Sequence, residues 1–457
     1  LIMIDKFQTW FQENSITEVE CLVPDLGGIA RGKILPTNKF LKGLNEDSHR
    51  LPQSTFIQTI SGDYATEDLS GPLPKSIFNP TDIDVILKPD YKTMRIVPWY
   101  EDPTAQVICD AVNLNGEDVI NSSRNALKNI LKLYSKEGLN PIVSPELEFY
   151  LVKPNPDSDY PLEVPIGQSG RQETGKQALG IDAVNEFDNL FEEVYSHCEA
   201  QNIEIDTINH ESGSAQMEIN FQHGDPLDLA DQVFIFKRTL RQTALKHKLY
   251  ATFMAKPMEN QPGSAMHLHQ SLYNEKNKNL FFNKKNKFSK KMKNYIGGLQ
   301  KYTPYLMPIY LPNINSFRRL FATWGTPKNT KWGVGNRSCA FRIPSVEEKN
   351  MRIENRIPGS DTNPYLVFAA NLASGYLGIK NNIKPSLETK NSAFEDVDPS
   401  IPKNIDESLS MFENNEEINE IFNEKFIRSV AAVRRMEYQA YLSVISSWER
   451  EVLLLNV

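Results

Sequence analysis

Four short segments put ionisable residues where a folded chain is expected to bury its strands. Alternation of polar and apolar residues with period two marks a strand with one inward face. In Ser144-Pro145-Glu146-Leu147-Glu148-Phe149 both glutamates point one way, and Leu147 and Phe149 the other. Gln216-Met217-Glu218-Ile219-Asn220 repeats the arrangement, and Met266-His267-Leu268-His269 sets two imidazoles on one face. Arg352-Ile353-Glu354-Asn355-Arg356 places two cations around one anion. If the four strands share a sheet, one of its faces is a floor of carboxylates, imidazoles and guanidiniums. Packed unpaired ions are costly, so such a floor calls for metal ions and phosphates to neutralise it. A solvated outer strand is the alternative for any one segment. Glu, His and Arg recurring in all four, in place of the Lys and Thr of a wet sheet face, argue against it for the set.

The donor chemistry narrows the ions. Glu146, Glu148, Glu211, Glu218 and Glu354 are the carboxylates, and His267 is the one nitrogen donor. Mostly oxygen ligands with a single imidazole favour Mg²⁺ or Mn²⁺ over zinc. The carboxylates exceed what one ion needs, and neighbouring ions suit phosphoryl transfer. Arg319, Arg337, Arg342, Arg352 and Arg356 follow in the last third of the region. Arginine holds phosphate or carboxylate bidentately and keeps its charge. The set describes a nucleotide-phosphate site that also takes an acidic substrate. There is no GxxxxGK[ST] and no GxGxxG opening a helix, so the phosphates are expected on a sheet.

At 457 residues the chain has room for two domains. Its net charge of −8 argues against a nucleic-acid partner. The Lys- and Asn-rich run 274–293 reads as a solvated hairpin tip leading into a helix. Cys21, Cys109, Cys198 and Cys339 are far apart and indicate neither a disulfide framework nor a Cys-type zinc site. With no signal-peptide pattern and no apolar stretch long enough for a bilayer, a cytoplasmic setting without membrane association is expected. The longest apolar stretch, 365–379, reads as a buried helix. Strands are expected at 18–24 and 82–88, with a hairpin turn at Asp25-Leu26-Gly27-Gly28. Helices are expected over 122–137, 182–200 and 225–247, the last with an Asp225-Pro226 start. The reading is α+β, with a small β-rich domain over 1–106 and a large catalytic domain over 107–457.

Ordered along the chain, these motifs resemble the glutamine synthetase superfamily: Pro145-Glu146-Leu147-Glu148-Phe149, His210-Glu211, Gln216-Met217-Glu218, Lys256-Pro257, the run from Gly263 to Ser271, Asn315-Ser316-Phe317-Arg318-Arg319, Asn336-Arg337-Ser338, Arg342-Ile343-Pro344, Arg352-Ile353-Glu354-Asn355-Arg356 and Asn363-Pro364-Tyr365. The resemblance implies a β-grasp N-terminal domain and a catalytic domain with a curved antiparallel sheet flanked by helices. It implies two or three Mg²⁺ or Mn²⁺ ions per site, one on Glu148, Glu211 and Glu218 and another on Glu146, His267 and Glu354. It implies ATP as co-substrate, phosphorylation of the side-chain carboxylate of glutamate, and displacement of phosphate by an amine. Arg337 and Arg342 match the residues that hold the transferring phosphate; Arg319, Arg356 and Gly263 match the glutamate side. His269, Ser271, Lys349, Arg342 and Asp206 match nucleotide contacts. The implied assembly is a homo-oligomer, a dodecamer of two stacked hexameric rings, whose sites are completed by the neighbour's N-terminal domain.

The departures bear on the amine. Ammonia-using members carry a glutamate on the flap shortly after the residue matching Arg319; Gly325 stands there, beside Trp324. They carry an aspartate in an N-terminal turn; Thr59 stands there, with Asp63 close by. Pro262 and Ala265 replace an asparagine and a glycine near the glutamate site. The pattern is similar to γ-glutamylpolyamine synthetases and related γ-glutamyl-amide ligases, with Thr59, Asp63, Trp324 and Gly325 as the amine pocket. Putrescine is the first expected acceptor, with methylamine and ethanolamine behind it. The alternatives are a glutamine synthetase using ammonia, a γ-glutamylmethylamide-type synthetase, a phosphotransferase ending at the acyl phosphate, and a non-catalytic scaffold or sensor.

Overall fold

All four charged segments lie in one sheet. The computed structural model of the chain describes residues 2–322, 325–344 and 346–457. Among them an eight-stranded sheet runs in the order Ile205–His210, Gln216–Phe221, Leu139–Val152, Met266–Asn274, Ile353–Asn355, Phe341–Ile343 and Trp332–Val334, with Tyr250–Thr252 paired to Leu139–Val152 off this path. Its pairs are antiparallel except the last along the path, which is parallel. The alternate residues Leu147, Phe149, Met217, Ile219, Leu268 and Ile353 are buried in one large core behind the floor. Helices Ser123–Lys136 and Pro226–Lys246 pack on the Leu139–Val152 strand from that side.

Local chemistry accounts for the helix ends. Ser122 caps Ser123–Lys136 by accepting from Asn125 N, and Gly138 follows at φ +65°. Asp225 caps Pro226–Lys246 by accepting from Leu227 N and Asp228 N, with Pro226 in the first turn. Pro364–Lys380, capped by Asn363, is buried along most of its length between Lys290–Tyr302 and Ser123–Lys136, as its apolar composition requires. The helix expected over 182–200 is two helices, Ile181–Asn185 and Asp188–Ala200. The break falls at Phe187, whose backbone leaves helical geometry as its ring turns into the core. Glu186 beside it accepts from Ser169 N and Oγ of the preceding loop.

A six-stranded sheet forms the N-terminal part, in the order Ala30–Pro36, Glu18–Pro24, Thr104–Val112, Asp84–Pro89 and Arg50–Pro52, with Arg95–Ile96 added on Thr104–Val112. It has its own core around Phe7, Phe40, Phe56 and Val107. Its Thr104–Val112 strand crosses residue 106 and ends at Val112. Arg124, 1% exposed, ties this sheet to the catalytic helices through Asp110 at 2.6 Å, Asp90 at 2.8 Å and Asp231 at 2.8 Å. All four cysteines are buried thiols. Among the described residues no helix is long and apolar enough to cross a membrane.

Candidate active site

Strand register brings the charges together. Glu148 lies opposite Glu218, and Glu146 lies between Asn220 on one neighbour and His267 on the other. His269 lies opposite Glu354, which in turn lies opposite Arg342. Directly opposed residues of antiparallel strands share a face. Glu211 joins from the turn after Ile205–His210, its backbone N–H bonded to Gln216 O at 2.8 Å. Among the described residues, three groups of possible ligand atoms fall within 4.8 Å of one another: Glu148 with Glu211 and Glu218, Glu146 with Glu218 and His267, and Glu146 with His269 and Glu354. The first is the trio expected of one ion. His267 Nδ1 stands 3.5 Å from Glu146 and 3.7 Å from Glu354, but the second expected trio is not itself one of these groups: His267 falls with Glu146 and Glu218, and Glu354 with Glu146 and His269. His269 accepts from Arg352 Nε at its Nδ1 and so donates from Nε2 to Glu146 at 2.8 Å.

Electrostatics divides the floor in two. Burial, and next the charge of Glu211, push the Glu148 carboxyl up to about 8. Burial, then Glu146 and Glu148, push Glu218 up to about 10. Glu211 is raised, first by burial. At the other end burial opposes ionisation of Glu354, but Arg356 and the two histidines outweigh it and hold the group down at about 2. Burial likewise opposes the charge of Glu146, and His267 and His269 overcome it. Glu148, Glu211 and Glu218 therefore form a buried, oxygen-rich cluster that holds its full charge only beside cations, and this donor set fits Mg²⁺ or Mn²⁺.

The guanidiniums flank that floor. Glu354, 1% exposed, accepts from Arg342 Nη1 at 2.9 Å and Arg356 Nη1 at 2.6 Å. Among the described residues the buried Nε atoms of Arg342 and Arg356 have no hydrogen-bond partner, which suits an anion from outside the chain. Arg319, on helix Ile314–Ala322, is buried and donates to Ile357 O at 2.6 Å. Gly263 makes room for it: a Cβ there would stand 2.6 Å from Arg319 Cγ and 2.7 Å from Ala255 O. Arg337 is exposed on the turn after Trp332–Val334.

Asp206, His269, Ser271 and Lys349 line one cleft of about 300 Å³, which Glu146 and Arg352 border as well. Arg342 is outside its lining. Thr59 and Asp63 share a turn, with Asp63 N donating to Thr59 Oγ1 at 3.0 Å. That turn is held by Arg31, which donates to Thr59 O, and by Glu437, which accepts from Ile60 N. Its described contacts are with these groups and not with the floor. Gly325 has φ +98°, and among the described residues nothing stands within 4 Å of where a Cβ would sit; Trp324 lies outside the described residues. Sequence reasoning missed Gln216, whose Nε2 donates to Gly263 O at 3.0 Å and lies 3.5 Å from Glu148 Oε2. It also missed Glu173, paired with His210 at 2.9 Å. Gln216 stands inside a motif and alternates with Glu218; Glu173 carries no sequence signal.

Residues 121–453 match the family described as glutamine synthetase, catalytic domain. The chain belongs to the glutamine synthetase family. Among curated relatives, a glutamate–isopropylamine ligase of Pseudomonas sp is 30% identical over 457 residues, covering 97% of this chain and 96% of the relative. A γ-glutamylputrescine synthetase of Escherichia coli (strain K12) is 30% identical over 446 residues, covering 96% and 92%. A glutamine synthetase of Pyrococcus horikoshii is 31% identical over 449 residues, covering 95% and 92%. The solved structure of the GmaS/ADP complex superposes with a TM-score of 0.84 at 24% identity, covering 98% of both chains, and shows the same fold. This glutamine synthetase family member is an ATP-dependent glutamate–amine ligase. Identity does not choose the amine, because ammonia and organic-amine enzymes stand at the same distance.

The raised carboxyls give a measurable consequence. Both folded values lie above the ordinary 4.5. As pH rises past that value the unfolded chain releases protons that the metal-free fold retains, so stability falls with rising pH. The fall runs up to about 8 for Glu148 and about 10 for Glu218. In chelator, Tm is expected to drop between about pH 5 and about pH 9, and added Mg²⁺ should raise it more at the higher pH. A Mg²⁺ increment independent of pH in scanning calorimetry would contradict this.

Proposed function

We propose that this enzyme joins the γ-carboxylate of L-glutamate to an organic amine, a diamine such as putrescine first among them, through γ-glutamyl phosphate. The observation that carries the choice of amine is Gly325, glycine with open space around it where ammonia-using family members present a carboxylate. Thr59 in place of the N-terminal aspartate supports it. The nucleotide would lie in the cleft of Asp206, His269, Ser271 and Lys349, with its phosphates over the floor. Glu148, Glu211 and Glu218, and Glu146, His267 and Glu354, would hold divalent cations, which would supply positive charge to offset that of the phosphates. Arg342 and Arg337 would hold the transferring phosphoryl group, the former through its unpartnered Nε. Arg319 and Arg356 would orient the glutamate and its acyl phosphate, keeping the carbonyl in line for the amine. Glutamate-dependent phosphate release across a panel of amines, ammonia included, tests this reading. Preference for ammonia over every organic amine would replace it with glutamine synthetase activity.

Assembly is part of the proposal. Among the described residues Thr59 and Asp63 make no hydrogen bond to the floor of their own chain, so they are expected to serve a neighbour's site in a ring-shaped homo-oligomer of twelve subunits. Sedimentation should show that large species; a fully active monomer would overturn it.

A further inference from the structure

Glu211 reaches the floor from a turn, so its aim depends on what holds the 211–216 backbone. One end of that turn is held from inside: Gln216 Oε1 accepts from Gly213 N at 2.9 Å, while its Nε2 reaches Gly263 O. The other end is held from the irregular segment between the Leu139–Val152 strand and helix Ile181–Asn185. Glu173 on this segment places Oε2 2.9 Å from His210 Nε2 and accepts from Ala215 N at 3.0 Å. His210 Nδ1 lies 2.6 Å from Glu211 O. Both ring nitrogens thus face oxygens, a carboxylate on one side and a backbone carbonyl on the other, so the ring is held at both ends. The His210 side chain is 0% exposed and that of Glu173 13%, so water competes little for these bonds. Leu179 N, from the same segment, donates to His210 O at 2.9 Å.

We propose that Glu173 is a positioning residue: through His210 and Ala215 it fixes the 211–216 turn, and with it the aim of Glu211 at the ion it would share with Glu148 and Glu218. This rests on the metal reading above. A carboxylate on a loose turn must be ordered when its ion binds, and that ordering subtracts from affinity; a turn held beforehand avoids the loss. Among the described residues Glu173 has no hydrogen bond to the floor carboxylates and does not line the cleft of Asp206 and Lys349, so its effect should appear in metal affinity and not in the nucleotide contacts.

The test is Mn²⁺ binding to the full-length protein without nucleotide, followed by electron paramagnetic resonance and titration calorimetry. Glu173→Gln keeps the shape and removes the charge; it is expected to weaken the Glu211-dependent Mn²⁺ ion about 10–100-fold, the usual scale for such outer partners. The KM for ATP at saturating Mn²⁺ should stay unchanged. His210→Gln should show a similar loss, and the double variant should lose no more than the larger single loss, because both act through one contact. Glu211→Gln serves as the reference. If it binds Mn²⁺ as the parent does, the metal reading itself fails. If it loses the ion while Glu173→Gln retains parental affinity, or loses only Tm, the positioning role is refuted. Should Glu173→Gln not fold, His210→Gln carries the same comparison.

Discussion

Glu218→Gln should be inactive and yet no less stable than the parent when divalent ions are withheld. Glu218 is common to two of the ligand groups on the floor, those of Glu148 with Glu211 and of Glu146 with His267. An amide cannot replace its charge toward a divalent ion, so kcat should fall by at least about 100-fold, more than the loss of an outer partner alone brings. Glu146→Ala and Glu211→Ala should likewise abolish turnover. Stability runs the other way at Glu218. Its carboxyl is pushed up to about 10, first by burial and then by Glu146 and Glu148. The metal-free fold therefore holds that carboxyl protonated while the unfolded chain ionises it, a cost to stability that an amide does not carry. Glu354→Ala makes the contrast. Glu354 is the acceptor for both Arg342 and Arg356, and its loss leaves two largely buried guanidiniums without their anion. Breaking a buried pair in this way costs about 3–5 kcal/mol. Phosphate release and chelator-containing thermal melts on the two variants check both signs. An active Glu218→Gln enzyme would sink the metal assignment, and a strongly destabilised one would sink the electrostatic account of the floor.

The floor was legible because a strand repeats every two residues and its charges recur at that period. Glu146 and Glu148, then Glu218, then His267 and His269, then Glu354 each announce a face, and burial of Leu147, Ile219 and Leu268 forces those faces to agree. The register was not written in any one segment; it follows from pairing four apolar faces onto one core. Glu211 was legible only through its neighbour His210 in a motif, since a turn has no period. Glu173 was not legible at all. It belongs to a segment without regular structure, and only the fold brings it to His210. The helix break at Phe187 was hidden for a related reason: apolar spacing on either side of it is helical, and the tertiary contact of Glu186 with Ser169 decides where the chain bends. The turn of Thr59 and Asp63 could be matched to a motif, but its bonds to Arg31 and Glu437, far away in the chain, come only from the fold.

The proposed amine preference rests on Gly325. Ammonia-using members of the family have a carboxylate at this flap position, where it attracts the ammonium ion and accepts its proton, the general-base role that acyl transfer to an amine requires. Here the residue is glycine, and among the described residues nothing lies within 4 Å of where its Cβ would be. An amine entering this site must supply part of its binding through apolar contacts or a second amino group, which a bare ammonium ion lacks. The best organic amine is therefore expected to exceed ammonia in kcat/KM by at least about tenfold, or roughly 1.4 kcal/mol of transition-state preference. Gly325→Glu should narrow the gap by restoring the anion and crowding out larger amines. The substitution carries a cost of its own, because φ is +98° and side chains other than glycine's strain such backbone by about 1–3 kcal/mol. Gly325→Asn bears a similar backbone burden and fills some of the volume without the charge, so it separates strain from electrostatics. Ammonia use should rise in the glutamate variant and not in the asparagine one. If both variants respond alike, the missing carboxylate is not what sets the preference, and the amine is chosen elsewhere in the site.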